Sequence, residues 1–224
     1  TQEKTQLSAI VEYLKSKAEE LGYQNARQLW MPVLEKNIVL SQLEKADVSE
    51  RDKIEKWSLD AVVGLYDDPQ NQQQKPLLVD FAQNGNLAVC GSVVTGKSIF
   101  MQTMLYSLFQ KYNPEQLQCY ILDFSSHLMT PFESAPNTGG IVYDNQEDRL
   151  GKFMHLLEKM MEERKKLFEG GNYAQYVRAY GQKIPAILVV IDNFGGFREK
   201  TRMKYDDIIL KYVREGTGYG MYLA

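Results

Sequence analysis

The sequence predicts an α/β fold, with a mostly parallel central sheet covered by helices on both faces. Residues 117–124 and 186–191 are short, nearly continuous apolar runs, which is the pattern of strands buried on both sides. Segments with helical apolar spacing alternate with these runs. Residues 91–98 read GSVVTGKS between an apolar run and an amphipathic stretch. A strand, a glycine loop with this spacing and a helix together predict a phosphate-binding P-loop.

Composition sets limits on size and partners. The 224 residues are 44% hydrophobic and 25% charged, enough for one α/β domain with an appendage. The formal net charge of −3 gives no basic surface, so no nucleic-acid partner is expected. Cys90 and Cys119 lie in apolar runs and are predicted to be buried, reduced thiols. The chain begins at Thr1 and ends in an apolar run, so we expect it to be part of a longer protein.

Residues 1–57 are predicted to form an N-terminal helix and linker arm. Apolar residues recur at helical spacing over 6–21, and Gly22 is a stop signal. The arm is expected to pack on the core through Leu29, Trp30 and Leu34. An ordinary first helix of the domain is the alternative.

Residues 58–224 are predicted to be the P-loop domain itself. Strands at 61–65 and 75–81, joined by a polar turn, suggest a short antiparallel edge. The other predicted strands are 86–90, 117–124, 140–143, 186–191 and 221–224. The predicted helices are 99–109, 144–168, 172–180 and 205–213.

The loop has a specific chemistry. Backbone N–H groups of the loop and of the following helical turn point to one place, where the helix dipole also favours an anion. Lys97 would neutralise the β- and γ-phosphates, and the Ser98 hydroxyl would bind Mg²⁺. ATP and Mg²⁺ are therefore the expected cofactors. The predicted nucleotide-binding residues are Gly91, Ser92, Val93, Val94, Thr95, Gly96, Lys97 and Ser98.

A second acid follows the apolar strand 186–191. Asp192 in this Walker B position would hold Mg²⁺ opposite Ser98, although an acid there can also cap a helix. The next residue is Asn193, where additional-strand P-loop ATPases typically carry Glu. An amide can orient water but cannot take up a proton, so Asn193 predicts weak hydrolysis. Asp123, at the end of the preceding core strand, is a possible substitute base.

The loop is also irregular. Val93 and Val94 place β-branched side chains where such loops commonly carry Gly and Ser. Such side chains resist positive φ and are expected to crowd the phosphate cradle.

Motifs beyond the P-loop support a closer resemblance. They are residues 63–69 (VGLYDDP), 76–80 (PLLVD), 85–91 (GNLAVCG), 118–124 (QCYILDF), 190–193 (VIDN) and 218–220 (GYG). With these motifs the chain resembles FtsK/SpoIIIE-type ATPase domains of type VII (ESX) secretion systems, the EssC/EccC membrane ATPases. The resemblance covers essentially the whole chain and points to a later, C-terminal ATPase domain, because those are often degenerate.

The resemblance implies a RecA/FtsK-like fold of the additional-strand type. The strand at 221–224 would then lie between the P-loop strand and the Walker B strand, with further C-terminal strands missing. It also implies a cytoplasmic domain of a bacterial cell-membrane protein. The implied partners are other ATPase domains of the same polypeptide, WXG-type secreted substrates and a hexamer of the full-length protein.

The sequence is compatible with two functions. The first is a degenerate module for substrate recognition or regulation of export, and the second is an active Mg-ATP-hydrolysing motor. A GTPase would need an N-K-x-D motif and a nucleotide kinase an arginine-rich lid, and the sequence has neither. Arg198, Arg202 and Arg214 are candidates for a trans-acting arginine, but each is expected to be an ordinary solvated helix residue.

Overall fold

The computed structural model describes residues 5–23, 32–41, 43 and 57–224. Leu29 and Trp30, expected to anchor the N-terminal arm, lie outside these residues. The chain divides into one unit of Thr1–Leu34 with Asp67–Gln74 and another of Glu35–Tyr66 with Lys75–Ala224.

The smaller unit contains helix α1, Gln6–Glu20. The Thr5 side chain caps it by accepting the Ser8 N–H at 3.3 Å, and no residue of the helix is buried. In the same unit, the Gln74 side-chain amide donates to the Pro32 carbonyl at 2.7 Å.

The predicted hairpin forms a two-stranded antiparallel sheet of its own. Its strands are β1, Asp60–Asp68, and β2, Gln73–Asp80. The short helix α2, Phe81–Asn84, follows directly, with the Asp80 side chain accepting the Gln83 N–H.

The main sheet has four parallel strands in the order β4-β3-β5-β6. They are β3, Leu117–Asp123; β4, Thr138–Tyr143; β5, Ala186–Asp192; and β6, Met221–Leu223. All seven residues of β5 are buried, as its continuous apolar sequence predicts. In the register of β3 and β5, Asp123 lies opposite Asp192.

The segment that enters the P-loop is not a regular strand, contrary to the prediction for residues 86–90. The Leu87 N–H donates to the Leu223 carbonyl at 2.9 Å. The Asn86 side chain accepts the Leu223 N–H at 2.8 Å and donates to the Val213 carbonyl at 2.9 Å. An amide side chain thus takes the place of strand pairing. Because β6 also pairs with β5, it lies between this segment and β5, as expected for an additional-strand fold.

Among the residues that the structure describes, five further helices pack on the sheet. They are α3, Lys97–Lys111; α4, Glu147–Phe168; α5, Tyr173–Tyr180; α6, Phe194–Lys200; and α7, Asp206–Glu215. Short 3₁₀ turns occur at Thr130–Phe132 and Gly216–Tyr219. One core joins α3 to a face of the sheet, and a second joins α4 and α7 to the other face. Helix α6 was not predicted. In the part of the chain that the structure describes, no helix is both long and apolar enough to cross a membrane.

A buried arginine connects α4 to the amino ends of two strands. The Arg164 guanidinium donates to the carbonyls of Tyr219 at 2.7 Å and Pro185 at 2.6 Å, with a longer bond of 3.3 Å to Gly220. Burial lowers the pKa of Arg164 from its ordinary value. These bonds fix the points where β5 and β6 begin, at the edge opposite the P-loop.

Candidate functional site

The P-loop folds around the ammonium group of Lys97. Lys97 Nζ donates to the carbonyls of Gly91 at 3.0 Å and Ser92 at 2.7 Å, and the Thr95 hydroxyl donates to Ser92 at 2.8 Å. Helix α3 begins directly after Gly96, whose φ of 88° is left-handed, and no side chain caps the helix. The first N–H groups of α3 therefore have no intrahelical acceptor and face the loop, where an anion would be stabilised.

The two valines of the loop are highly exposed, and one of them has an unusual backbone conformation. Val94 has a φ of 64°, so the expected conflict between a β-branched residue and positive φ is present. The side chains of Val93 and Val94 are 87% and 97% exposed, however. Both side chains therefore contact little of the rest of the chain.

Ser98 and Asp192 meet across the sheet edge, 94 positions apart in sequence. The Ser98 hydroxyl lies 3.0 Å from each carboxylate oxygen of Asp192, which is only 6% exposed. Burial raises the pKa of Asp192, and repulsion from Asp123 adds to the shift. The Ser98 hydroxyl, the Lys97 charge and the Asn193 N–H act in the opposite direction.

Asp123, the substitute base suggested by the sequence, is held by the loop that follows β3. Its two carboxylate oxygens accept the N–H groups of Ser125 and Met129, each at 3.1 Å, and the residue is fully buried. This carboxylate shapes the turn after β3 and is closed to an attacking water.

Asn193 is the N-cap of helix α6 and has a left-handed φ of 64°. Its side-chain oxygen accepts the Gly196 N–H at 3.1 Å, and its side-chain nitrogen donates to the Phe124 carbonyl at 2.9 Å. Both ends of the amide are therefore used within the protein.

A cleft of about 880 Å³ runs from these residues along the sheet. Its polar end is formed by the loop, Lys97, Asp192 and Asn193, and the rest is largely aliphatic. The aliphatic lining includes Leu87, Val89, Ile209, Leu210, Val213 and Leu223. The spacing of apolar residues does not indicate that this face would remain open.

Two further side chains that line the cleft are a cysteine and an arginine. Cys90 lines the cleft and is exposed, so the prediction that it is buried was wrong, whereas Cys119 is buried as predicted. Cys90 is exposed because the segment before the loop is not enclosed in the sheet. Arg198 also lines the cleft, where its guanidinium forms an ion pair of 2.6 Å with Asp206.

Comparison with known proteins identifies the family. The model of the FtsK/SpoIIIE family matches residues 47–218. The chain belongs to the FtsK/SpoIIIE family. Type VII secretion system protein EssC of Staphylococcus aureus strain MRSA252 is 27% identical over 98% of the chain. ESX secretion system protein EccC of Geobacillus thermodenitrificans is also 27% identical over 98%. The chain spans only 15% and 14% of these two relatives.

Solved structures of the same family have the same fold. The cytoplasmic domain of the type VII secretion ATPase EccC from Thermomonospora curvata superposes with a TM-score of 0.75 and 26% identity, covering 90% of this chain and 25% of that one. EssC (ATPases 2 and 3) from Geobacillus thermodenitrificans superposes with a TM-score of 0.68 and 29% identity, covering 76% of this chain and 33% of that one. This FtsK/SpoIIIE chain is thus homologous to EssC/EccC ATPase domains over nearly its whole length.

Proposed function

We propose that this chain is an ATPase-like domain of a type VII secretion motor that binds Mg-ATP weakly and hydrolyses it slowly or not at all. The observation that carries the proposal is the state of the two carboxylates at the tips of β3 and β5. Asp123 is bound to two backbone N–H groups and Asp192 to Ser98. Neither would serve as a general base, because Asp123 is bound to backbone groups of its own loop and Asp192 would be a ligand of Mg²⁺.

The residues present fit a magnesium-bound nucleotide. The N-terminus of α3 and Lys97 would hold the phosphates, and the Ser98 hydroxyl and Asp192 carboxylate supply oxygen ligands that suit Mg²⁺. Bound Mg²⁺ would neutralise charge on the phosphate oxygens. On binding, Lys97 would exchange its two carbonyl acceptors for phosphate oxygens.

Activation of water is the missing function. The amide of Asn193 cannot accept a proton, and its two ends are bound to Gly196 and Phe124. Val94 adds conformational strain to the loop, which counts against tight binding.

The relatives support a role within a multi-domain secretion ATPase. Matching structures include an EssC with ATPases 2 and 3 and an EccC complex with a signal sequence peptide. We infer that residues 58–224 work beside other ATPase domains of one polypeptide, on the cytoplasmic side of a membrane and within a hexamer. The aliphatic cleft would receive an apolar helical segment of a WXG-type substrate.

The nucleotide half of the proposal is tested by titrating Mg-ATP into the chain by calorimetry and measuring phosphate release. We expect a Kd in the high micromolar range or weaker, raised at least about tenfold by Lys97→Ala, because the loop keeps its anion-binding geometry. Lys159→Ala, in an exposed i,i+4 ion pair on α4, is the matched control and should change nothing.

Two results would contradict the proposal in different ways. Phosphate release near 1 s⁻¹ or faster, lost in Lys97→Ala, would establish the alternative of an active motor, since typical turnover numbers of enzymes are about 1–1000 s⁻¹. Complete absence of Mg-ATP binding would remove the nucleotide from the function.

Substrate recognition is tested with a labelled helical C-terminal peptide of a WXG-type protein. Leu210→Asp places a charge on the cleft and should weaken binding about tenfold or more. Leu156→Asp, on α4 and similarly exposed, should have no effect. If fluorescence anisotropy gives the two variants the same affinity for the peptide, the peptide does not bind in the cleft.

A further inference from the structure

Asn193 lies where the tips of two strands and the start of a helix come together. The Phe124 N–H donates to the Asp192 carbonyl at 3.1 Å, which continues the pairing of β3 and β5 by one residue. The side-chain nitrogen of Asn193 then donates back to the Phe124 carbonyl at 2.9 Å. Two bonds of opposite direction therefore join Phe124, directly after β3, to the last residue of β5 and to the residue that follows it.

Asn193 also begins α6. Its side-chain oxygen accepts the Gly196 N–H, and its backbone carbonyl accepts the Phe197 N–H at 3.0 Å. A Cβ on Gly196 would lie 2.4 Å from the Asn193 side-chain nitrogen and 3.3 Å from the Phe124 carbonyl oxygen. The close approach of helix, amide and strand tip is therefore possible only because residue 196 is glycine.

We propose that Asn193 is a positioning residue that clamps the tips of β3 and β5 together and holds Asp192 opposite Ser98. The inference rests on the proposed degenerate function and adds to it. In this chain the position usually occupied by a catalytic glutamate has become part of the scaffold. Restoring glutamate therefore does not restore hydrolysis.

The chemistry of the Asn193 side chain explains why neither glutamate nor aspartate can replace it. Glutamate and aspartate can accept the Gly196 N–H, but an ionised carboxylate has no hydrogen to donate to Phe124. Asparagine is also one of the few residues with a side chain that tolerates a left-handed φ. Glutamate has a longer side chain and would also incur the conformational cost of a left-handed φ. In addition, the carbonyl of Phe124 would repel its negative charge.

Amide hydrogen exchange separates a clamp from a simple helix cap. Asn193→Asp keeps the cap on Gly196 but loses the bond to Phe124. We expect exchange of the Ser125 and Met129 amides, which bind Asp123 at the other strand tip, to become about five- to tenfold faster. The Gly196 amide should remain protected in this variant.

Asn172→Asp is the matched control. Asn172 caps α5 by accepting the Gln175 N–H at 2.9 Å, so the same substitution there should leave exchange at Ser125 and Met129 unchanged. A second arm measures phosphate release by Asn193→Glu, for which we expect no gain over the wild-type chain and faster exchange at both strand tips.

Each outcome decides one proposal. Unchanged exchange at Ser125 and Met129 in Asn193→Asp would reduce Asn193 to a local cap and overturn the clamp. Phosphate release gained by Asn193→Glu would overturn it as well. Hydrolysis by the wild-type chain would contradict the proposed function but leave the exchange result, and hence the clamp, standing.

Discussion

Asp123 and Asp192 are both aspartates and lie opposite each other in the register of neighbouring strands, yet their carboxylates have different roles. Asp123 is fully buried and accepts two backbone N–H groups from its own loop. Asp192 faces the P-loop and binds one hydroxyl, that of Ser98, and its pKa is raised by burial. One carboxylate satisfies the backbone around it, whereas the other carries a charge that the folded chain only partly compensates.

This contrast between the two aspartates extends to the two halves of the site. At the tip of β3 and at Asn193, polar side chains are bound to backbone groups, so these residues stabilise the fold. On the side of the P-loop, the contacts of Lys97 with two carbonyls and of Ser98 with Asp192 are ones that a ligand can replace. Functional residues commonly cost stability in this way, whereas structural ones add to it.

The largest expected effect comes from Asp123→Asn. An amide at this position presents N–H hydrogens to at least one backbone donor, so we expect a loss of about 2–3 kcal/mol in the free energy of unfolding. Asp192→Asn is the isosteric partner variant and should be neutral or stabilising near pH 7, because it removes a buried charge. Urea unfolding of both variants measures the comparison, and equal losses would refute it.

The pH dependence of the same pair sharpens the test. The pKa of Asp192 is raised on folding, so the folded chain holds its proton more tightly than the unfolded chain. The contribution of Asp192 to stability therefore falls as pH rises from about 4, the unfolded value, through the raised pKa. The stability gained by Asp192→Asn should grow over that interval. A gain that is constant with pH would mean that charge is not its cause.

A smaller effect is expected at the loop. Val94→Gly relieves about 1–2 kcal/mol of left-handed strain but costs about 0.5–1 kcal/mol, because glycine gives the unfolded chain more conformational entropy. We therefore expect a net stabilisation of about 0–1.5 kcal/mol. Val93→Gly is the matched control, because Val93 is also exposed but lacks positive φ, and it should destabilise slightly. If the two glycines have the same effect in urea unfolding, strain at Val94 is negligible.

Much of the fold follows from the sequence because its signals are local and strong. Continuous apolar runs locate β3 and β5, and helical spacing locates α3 and α4 to within a few residues. The approach of Ser98 to Asp192 was expected because the carboxyl ends of parallel strands meet at one sheet edge. The FtsK/SpoIIIE assignment followed from motifs spread over the chain.

Other features depend on contacts that the sequence does not encode locally. Asp123 and Asp192 both follow apolar strands, and only the loop that closes on Asp123 separates their roles. Helix α6 begins FGG, which argues against a helix, and its start depends on the Asn193 cap. The segment before the P-loop shows strand-like apolarity, but the Asn86 side chain replaces regular pairing.

Arg164 has a consequence for how this domain can move. Its guanidinium is planar and rigid, so its bonds to the chain before β5 and to the end of the second 3₁₀ turn fix three elements in one geometry. Lysine could not reproduce that fork, and Arg164 keeps its charge at any physiological pH. A shift in response to a ligand at the far edge would therefore have to pivot about this end of the sheet.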